Sequence, residues 1–469
     1  MADFVVTAEK LVFGGDSLAE PQDGSGKVLF LPGLIPGEVA QVEIISSHKD
    51  YDRGKILSIL EPSPHRIEPA CPYYTQCGGC NMLHISPDFQ VQLRKQVLQD
   101  IFQREGLTIP PVEAIRGRDF GYRCRMQLTD GGLQQRGMNK NPIPITQCPC
   151  GTEEINNWLQ QVPPQQRAKG RIQLFGDQRI QSQHKVLFAD SGANGSSSGS
   201  KITGKTNRKI KDKVKHRFSG TTLSPATTCS LQLSPAVGQP KLITFDVRGF
   251  FQSNLEVLEK AISLVIEYVQ EMKARGTSLT HALDIYSGAG TISVFLADYF
   301  DTVTLVEHNR DAIAFAEQNL LGKNHQSYGI SGEKWAKEFG AGIIEKNPPQ
   351  LAFVDPPRSG MEKGLRDFLA TSKIPHIIYL SCDPATQARD CKALIQAGYT
   401  IRKLFLLDFY PNTGHMETVI LLSRKTPDAI IEIDLEMSEL DLTRAEAEAE
   451  EFDKQFPYKE KLKLPGQLV

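Results

Sequence analysis

The sequence predicts an α/β protein whose C-terminal half is a doubly wound parallel sheet, preceded by a small β-barrel and a central α+β segment. Apolar strand-length runs alternate with helix-length runs from about residue 240, and short alternating runs fill residues 3–61. Five of the nine cysteines fall between residues 71 and 150. The 469 residues, 40% hydrophobic and 23% charged, exclude collagen-like, wholly disordered and membrane-embedded proteins.

The N-terminal region reads as short strands, including 38–45 and 55–60, separated by Gly and Pro turn signals. This pattern predicts a small antiparallel barrel, of a kind that either binds RNA or serves as a structural or dimerising module. The chain contains neither a run of about 20 apolar residues nor an N-terminal signal segment. We therefore expect a cytoplasmic protein without a membrane partner.

The central region begins with the cysteine-rich run 71-CPYYTQCGGC-80. In a cytosolic chain, clustered cysteines indicate a metal site or catalysis rather than disulfides. A helix is predicted over 89–106, because apolar residues recur at spacings of three and four. Residues 190–217 are first Gly/Ser-rich and then basic, which predicts a flexible insertion.

The C-terminal sheet follows from alternating predicted strands and helices. The predicted strands are 282–286, 303–307, 351–355 and 376–381, and the helices are 256–275 and 310–321. Two more β-rich runs, 399–411 and 417–423, are so close together that they must form an antiparallel hairpin. A parallel sheet completed by such a hairpin is the architecture of S-adenosylmethionine-dependent methyltransferases.

Charge is distributed unevenly along the chain. Residues 428–453 hold eleven acidic side chains and one basic one, a net charge of −10, so the other residues sum to +8 against −2 overall. A basic body suits an RNA partner or is simply a solvated surface. The acidic tail would repel RNA, so we interpret it as a solvated appendage.

The segment 284-DIYSGAGTIS-293 predicts a ligand site at the end of a strand. Gly288 and Gly290 let the backbone approach a ligand, and Glu307 at the end of the next strand can accept hydrogen bonds from ribose hydroxyls. A nicotinamide dinucleotide fingerprint would have glycine at Ser293. S-adenosylmethionine, which has no pyrophosphate, tolerates this difference.

Three further strand ends carry groups suited to chemistry. Asp355 opens the run 355-DPPR-358, Cys382 follows an apolar strand, and Glu417 begins the last one. A thiolate at Cys382 can add to carbon 6 of uracil and create nucleophilic character at carbon 5, which then takes a methyl group. Glu417 is the expected base that removes the carbon 5 proton, with His415 as a second candidate.

The chain resembles the RNA uracil-5-methyltransferase family from about residue 10 to about residue 425. The resemblance is carried by motifs in the family's order: Gly14-Gly15-Asp16, 71-CPYYTQCGGC-80, 250-FFQSN-254, 284-DIYSGAG-290, 355-DPPRSG-360, 380-LSCDP-384 and 415-HMETVILL-422. It implies an N-terminal TRAM domain that binds RNA, Cys382 as nucleophile and Glu417 as base. The implied partner is RNA, with rRNA preferred over tRNA and no obligate protein partner.

The resemblance also implies the cofactor residues. Gln252, Tyr286, Glu307 and Asp355 fall on positions that hold S-adenosylmethionine, Thr291 is a weaker match, and Phe250 is expected to stack on a flipped base.

The cysteines Cys71, Cys77, Cys80 and Cys148 resemble the family's ligands to a [4Fe-4S] cluster, with Cys150 as the alternative fourth ligand. Zinc is the rival metal, since four thiolates satisfy either.

The predicted domains are 1–62, the RNA-binding barrel; 63–239, the central iron-sulfur domain; 240–425, the methyltransferase domain; and 426–469, the acidic tail. Two other hypotheses compete with methylation. One is a non-catalytic RNA-binding or assembly protein, against which Cys382 and Glu417 argue. The other is a nicotinamide-dependent oxidoreductase, against which Ser293 argues.

Overall fold

The computed structural model describes residues 4–20, 27–137, 141–182, 185–190 and 227–424. The predicted flexible insertion, beyond Asp190, and the acidic tail lie outside these residues. Within the described ranges, no helix is both long enough and apolar enough to cross a membrane.

The N-terminal region is a curled, six-stranded half-barrel with the strand order β1-β5-β6-β4-β3-β2. Its strands are β1 Phe4–Thr7, β2 Lys10–Leu11, β3 Asp16–Ala19, β4 Val28–Pro32, β5 Val39–Ser47 and β6 Tyr51–Glu61. The predicted antiparallel pairing is right except between β4 and β6, which are parallel. Strand β6 lies between β4 and β5 in the sheet, so the chain passes from β4 across β6 to β5 and then returns along β6. This crossover makes β4 and β6 parallel.

The central region combines two helices, a three-stranded sheet and a hairpin. Its elements are α1 Pro87–Arg104, β7 Val112–Ile115, β8 Arg125–Thr129, α2 Glu153–Gln161, a 3₁₀ turn Pro164–Gln166, β9 Arg171–Gly176, β10 Val186–Asp190, β11 Thr228–Leu233 and β12 Lys241–Asp246. The sheet has the order β10-β9-β8, and β11 pairs with β12. The helix predicted over 89–106 is α1.

The C-terminal sheet has eight strands in the order β15-β14-β13-β16-β17-β19-β18-β7. Its own strands are β13 His281–Ile285, β14 Thr302–Val306, β15 His325–Tyr328, β16 Leu351–Val354, β17 His376–Ser381, β18 Tyr399–Leu407 and β19 Glu417–Arg424. The first five are parallel and β18 and β19 form the predicted antiparallel hairpin. The eighth strand, β7, comes from the central region and was not predicted.

Several helices of this region start at a short polar side chain that caps them. They are α3 Leu255–Ala274, α4 Ser293–Leu296, α5 Arg310–Asn319, α6 Gly332–Trp335, a π-turn Ala336–Gly340, α7 Ala341–Lys346, α8 Lys363–Ser372 and α9 Pro384–Gln396. Asn254 caps α3, Asn309 caps α5 and Asp383 caps α9, each by accepting from a backbone amide. The cap of α9 follows Cys382 directly, so the helix start fixes the backbone beside this thiol.

Candidate active site

Cys382 and Glu417 lie opposite each other at one end of the eight-stranded sheet. The strands β17 and β19 are antiparallel, with Ser381 facing Thr418, so Cys382 and Glu417 occupy the next pair of facing positions. Facing side chains on such strands begin about 5 Å apart at their Cβ atoms. The sheet therefore brings together the two residues that the sequence predicts as nucleophile and base.

Asp355 joins this pair from the neighbouring strand. It follows β16, which runs parallel to β17 with Val354 facing Tyr379. Burial, followed by the charges of Glu417 and Asp355, raises the pKa of the Cys382 thiol to about 11. Burial and the Asp355 charge raise the pKa of Glu417 well above its usual value, and this side chain is only 5% exposed. A carboxyl group with a raised pKa is a stronger base once ionised.

Arg358, which the sequence analysis named only as the last residue of the run 355-DPPR-358, supplies a positive charge to the site. Its guanidinium opposes the effects of burial, favouring lower pKa values at both Cys382 and Glu417. The same charge, after burial, lowers the pKa of His415. A neutral His415 cannot supply a positive charge here, whereas Arg358 can.

The loop that carries Asp355 and Arg358 is attached to α9. The carboxylate of Asp390, which is fully buried, accepts hydrogen bonds from the Met361 amide at 2.8 Å and the Tyr379 hydroxyl at 2.9 Å. Arg366 donates to its other oxygen at 3.0 Å. Because the cap of α9, Asp383, directly follows Cys382, one helix positions both the thiol and the loop. No local sequence signal marked Asp390 for this role.

The predicted glycine turn follows β13 at the same edge of the sheet. Gly288 and Gly290 both have positive φ, at 55° and 75°, and Tyr286 has the left-handed φ of 65°, which is strained for a side chain. The Gly288 amide donates to Glu307 at 3.0 Å. Ser293, where a dinucleotide fingerprint would have glycine, instead donates to Asp284 at 2.5 Å.

This edge has the chemistry to hold a positively charged, nucleoside-containing ligand. Burial is the main cause that raises the pKa of Asp284 to about 7 and that of Asp355 to about 8, and a bound cation would reverse both changes. Among the described residues, the buried Gln252 Oε1 and Ser287 Oγ have no hydrogen-bond partner. Free polar atoms and clustered carboxyl groups fit the sulfonium, ammonium and ribose groups of S-adenosylmethionine.

Phe250 and Thr291 lie at the accessible side of this region. Phe250 is 67% exposed, while its neighbour Phe251 is buried and stacks on Phe245 with ring centroids 3.8 Å apart. Thr291 is half-buried after the glycine turn. An exposed aromatic ring beside a rigid aromatic pair is free to stack on a ligand.

Away from the sheet edge, a cavity of about 540 Å³ is lined by five cysteines. The lining cysteines are Cys71, Cys77, Cys80, Cys148 and Cys150. Arg136 supports the first loop by donating to the carbonyl oxygens of Tyr74 at 3.1 Å and Cys80 at 2.5 Å. Asn156 supports the second loop by accepting from the Cys148 amide at 2.8 Å. The fold thus gathers all the cysteines that the sequence predicts as ligands.

Cys150 is buried rather than exposed, and its sulfur lies 3.7 Å from that of Cys80. Four thiolates on one zinc ion would all lie about 3.8 Å apart, since each Zn–S bond is about 2.3 Å. No group of three or more His, Cys, Asp or Glu side chains in the described ranges is arranged to hold one metal ion. The four sulfur atoms that bind a [4Fe-4S] cluster must lie farther apart than four that bind one zinc ion, because each thiolate binds a different iron.

Comparisons with known proteins extend over almost the whole described chain. The family model described as tRNA (Uracil-5-)-methyltransferase matches residues 238–425. A protein of Treponema denticola, named as an uncharacterized RNA methyltransferase, is 33% identical over 88% of this chain and 98% of its own. A 23S rRNA (uracil(1939)-C(5))-methyltransferase, RlmD, of Photorhabdus laumondii is 28% identical over 89% and 96%.

The crystal structure of the tRNA (uracil-54, C5)-methyltransferase of Pyrococcus abyssi, solved with S-adenosyl-L-homocysteine, has a similar fold. It superposes with a TM-score of 0.61 at 20% identity, covering 89% of this chain and 99% of the other. Likeness along nearly the full length of these proteins accounts for the sheet, the glycine turn and the strand-end residues together. The chain therefore belongs to the RNA uracil-5-methyltransferase family, the enzymes that use S-adenosylmethionine to methylate carbon 5 of uracil in RNA.

Proposed function

We propose that this enzyme methylates one uridine of 23S rRNA, with Cys382 as the nucleophile and Glu417 as the base. The observation that carries the proposal is the proximity of Cys382 and Glu417, one position beyond the paired residues Ser381 and Thr418, where the charges of Glu417 and Asp355 act on the thiol. Cys382, Glu417 and Asp355 each sit at a strand end, where parallel sheets bind their ligands.

The reaction divides between the two residues. The Cys382 thiolate forms a bond to carbon 6 of the uracil, and carbon 5 takes the methyl group. Glu417 then removes the proton from carbon 5, and the electrons of that C–H bond re-form the 5,6 double bond as the sulfur leaves carbon 6. Burial and the Glu417 charge raise the pKa of the Cys382 thiol, and the Arg358 charge counters them by favouring the thiolate that forms the bond to carbon 6.

The cofactor is held by residues around the glycine turn. S-adenosylmethionine supplies the methyl group from its sulfonium. We assign its ribose to Glu307, which has accepting capacity beyond the Gly288 amide, and its charged groups to Asp355 and Gln252. The rest of the cofactor site is formed by Tyr286, Gly290 and Thr291. Phe250 stacks on the target uracil after this base has flipped out of the RNA stack.

The five-cysteine cavity is proposed to hold a [4Fe-4S] cluster, with Cys71, Cys77, Cys80 and Cys148 as ligands. Its size and the two arginines on its wall, Arg123 and Arg136, suit a cluster whose thiolates carry negative charge. Methyl transfer requires no electron, so we assign the cluster a structural role in positioning RNA. The N-terminal half-barrel is proposed to be a TRAM domain that binds the same RNA.

Two observations support 23S rRNA as the substrate. One is the combination of the half-barrel with four cysteines that resemble the family's cluster ligands, and the other is the name of the Photorhabdus relative. A tRNA substrate is the second candidate, because the matching family model and the Pyrococcus structure both bear tRNA names.

The test is to incubate unmodified rRNA and tRNA separately with the enzyme and S-adenosylmethionine carrying a labelled methyl group. Mass spectrometry of the nucleosides should detect labelled 5-methyluridine from 23S rRNA. Label in tRNA alone would select the second candidate. Label in neither RNA, with cofactor and metal shown to be bound, would favour a non-catalytic RNA-binding protein.

A further inference from the structure

The loop between β18 and β19, residues 408–416, leads directly into Glu417 and is held largely from outside the C-terminal sheet. Arg94 on α1 forms a buried ion pair with Asp408, with distances of 2.8 and 2.9 Å. Gln90, one turn earlier on α1, exchanges side-chain and backbone hydrogen bonds with Asn412 at 3.1 and 3.0 Å. The position of this loop therefore depends on the central region.

The last of these attachments is Asn81, the residue that follows Cys80. Its side-chain oxygen accepts from the Gly414 amide at 2.8 Å, and its side-chain nitrogen donates to the Gly14 carbonyl oxygen at 2.6 Å. Its backbone amide donates to Asn412 at 3.2 Å. One side chain thus connects the half-barrel, the first cysteine loop and the loop before Glu417.

The backbones at this junction are in close contact on one side and border a cavity of about 270 Å³ on the other, which Gly15, Asn81 and Gly414 help to line. A Cβ atom added at Gly15 would lie 2.6 Å from the Asn81 side-chain nitrogen, and one added at Gly414 would collide with the backbone of Gly14. Because the neighbouring backbones already touch, Gly414 cannot move towards the half-barrel. Loss of the Asn81 contact would leave Gly414 free to move away from Gly14 or into this cavity.

We propose that Asn81 is a positioning residue for the step that releases the methylated RNA. Glu417 lies three residues after Gly414, and its carboxyl group must reach the carbon 5 proton while Cys382 is still bonded to carbon 6. Misplacement of a catalytic group by about 1 Å can cost about 100-fold in rate. The inference rests on the proposed role of Glu417, and it makes the first cysteine loop part of the geometry of proton removal.

The distinguishing readout is the fraction of enzyme bound covalently to RNA. If Glu417 is displaced, addition and methyl transfer proceed while release slows, so a methylated adduct accumulates. Poor RNA binding or poor folding would instead reduce adduct formation. We would react each variant with labelled RNA and S-adenosylmethionine, quench in denaturant, and measure adduct, kcat and KM.

Asn81→Ala should lower kcat by about tenfold or more and raise the adduct fraction correspondingly, while kcat/KM for RNA stays within about twofold, because KM falls with kcat when release slows. Asn156→Ala is the matched control, because Asn156 ties the second cysteine loop with similar hydrogen bonds but contacts nothing near Gly414. Its adduct fraction should not rise.

Glu417→Gln, run in parallel, separates the two ways to fail. If Glu417→Gln traps RNA but Asn81→Ala loses turnover without accumulating adduct, the role of Asn81 is wrong while the proposed function stands. If Glu417→Gln traps nothing although the unaltered enzyme methylates RNA, the base assignment is wrong and this inference falls with it. Should Asn81→Ala not fold, Asn81→Gln displaces the same amide by one methylene, and a normal adduct fraction there would overturn the proposal.

Discussion

The catalytic edge and the cysteine cavity are built in different ways. At the edge, Asp355, Cys382 and Glu417 each adjoin a strand of one sheet, so continuous backbone pairing sets their spacing. In the cavity, the thiols lie on two loops held by a few side chains, chiefly Arg136 and Asn156. Single substitutions at the edge should therefore abolish the reaction without disturbing the fold. At the cavity, single substitutions should change the positions of the cysteine loops.

The largest effect is expected from Cys382→Ala. Without the thiol, no bond to carbon 6 can form, so both labelled product and denaturant-stable adduct should be absent. Because the side chain is only half-buried, the fold and S-adenosylmethionine binding should survive. Methyl incorporation and calorimetric cofactor titration measure the two properties. A Cys382→Ala enzyme that still makes 5-methyluridine would refute the nucleophile assignment.

The next effect separates the two neighbouring cysteines of the cavity. Cys148→Ala should lose most bound iron and sulfide, and with them affinity for RNA, since three thiolates leave one iron without a protein ligand. Cys150→Ala should keep both. Iron and sulfide analysis of anaerobically purified protein, with RNA binding measured on the same samples, makes the test.

The opposite pattern, with iron lost only from Cys150→Ala, would make Cys150 the fourth ligand. An unchanged RNA affinity and methylation rate after complete loss of the metal in air would contradict a role for the cluster in positioning RNA.

A smaller effect is expected at the loop that carries Asp355. Gly360 has φ of 76°, and a Cβ there would lie 2.5 Å from Arg389 Nη2 and 2.6 Å from Asp390 Oδ2. Gly360→Ala should therefore displace the loop and lower turnover by about tenfold. Gly322→Ala is the matched control, because Gly322 has φ of 81° and open space around it.

Both alanine variants should lose about 1–2 kcal/mol of unfolding free energy through backbone strain, measured in urea, with the larger loss at Gly360. Equal turnover in the two variants would mean that the contacts with Asp390 do not position the loop.

The smallest effect concerns the pH dependence of Cys382. The negative charge of Glu417 is, after burial, the next cause that raises the pKa of this thiol. Glu417→Gln removes the charge, so the pKa falls and more thiolate is present at a given pH. Alkylation of Cys382 by iodoacetamide between pH 8 and 9 should be about two- to fivefold faster, measured on the Cys382 peptide. Arg358→Gln should slow the alkylation of Cys382, because the charge that lowers the pKa of the thiol is lost. Identical alkylation rates in the unaltered enzyme and both variants would show that neither charge influences the thiol.

Much of the catalytic edge was predictable because its signals are local. The strand 376–381 coincides with β17, and the short connection before residue 417 fixed the antiparallel hairpin. Cys382 and Asp355 directly follow apolar parallel strands, and Glu417 begins the antiparallel strand that ends the sheet, so all three could be grouped at one sheet edge. The antiparallel barrel prediction failed only at the β4–β6 pairing, since crossover connections leave no local signal.

The supporting contacts could not be predicted, because they join distant parts of the chain. Asn81 and Gly414, or Arg94 and Asp408, are more than 300 residues apart and carry no pattern that links them. The spacing of the cysteines in the sequence predicted that they lie together. It could not predict that Arg136 supports their loop or that Cys150 is buried. Asp390 looked like any polar residue of a helix, and only the five hydrogen bonds that it accepts from four neighbouring residues mark its role.

The eighth strand of the catalytic sheet has a consequence for how the chain is made. β7 pairs with β18 through Val112 and Leu404, which are 292 residues apart. During synthesis, β7 leaves the ribosome long before its partner exists, so the sheet cannot be completed until β18 has been made as well. A fragment that begins near residue 240 would expose the edge of β18 to other chains. Such a fragment should aggregate, and adding residues 87–115 in trans should reduce the aggregation.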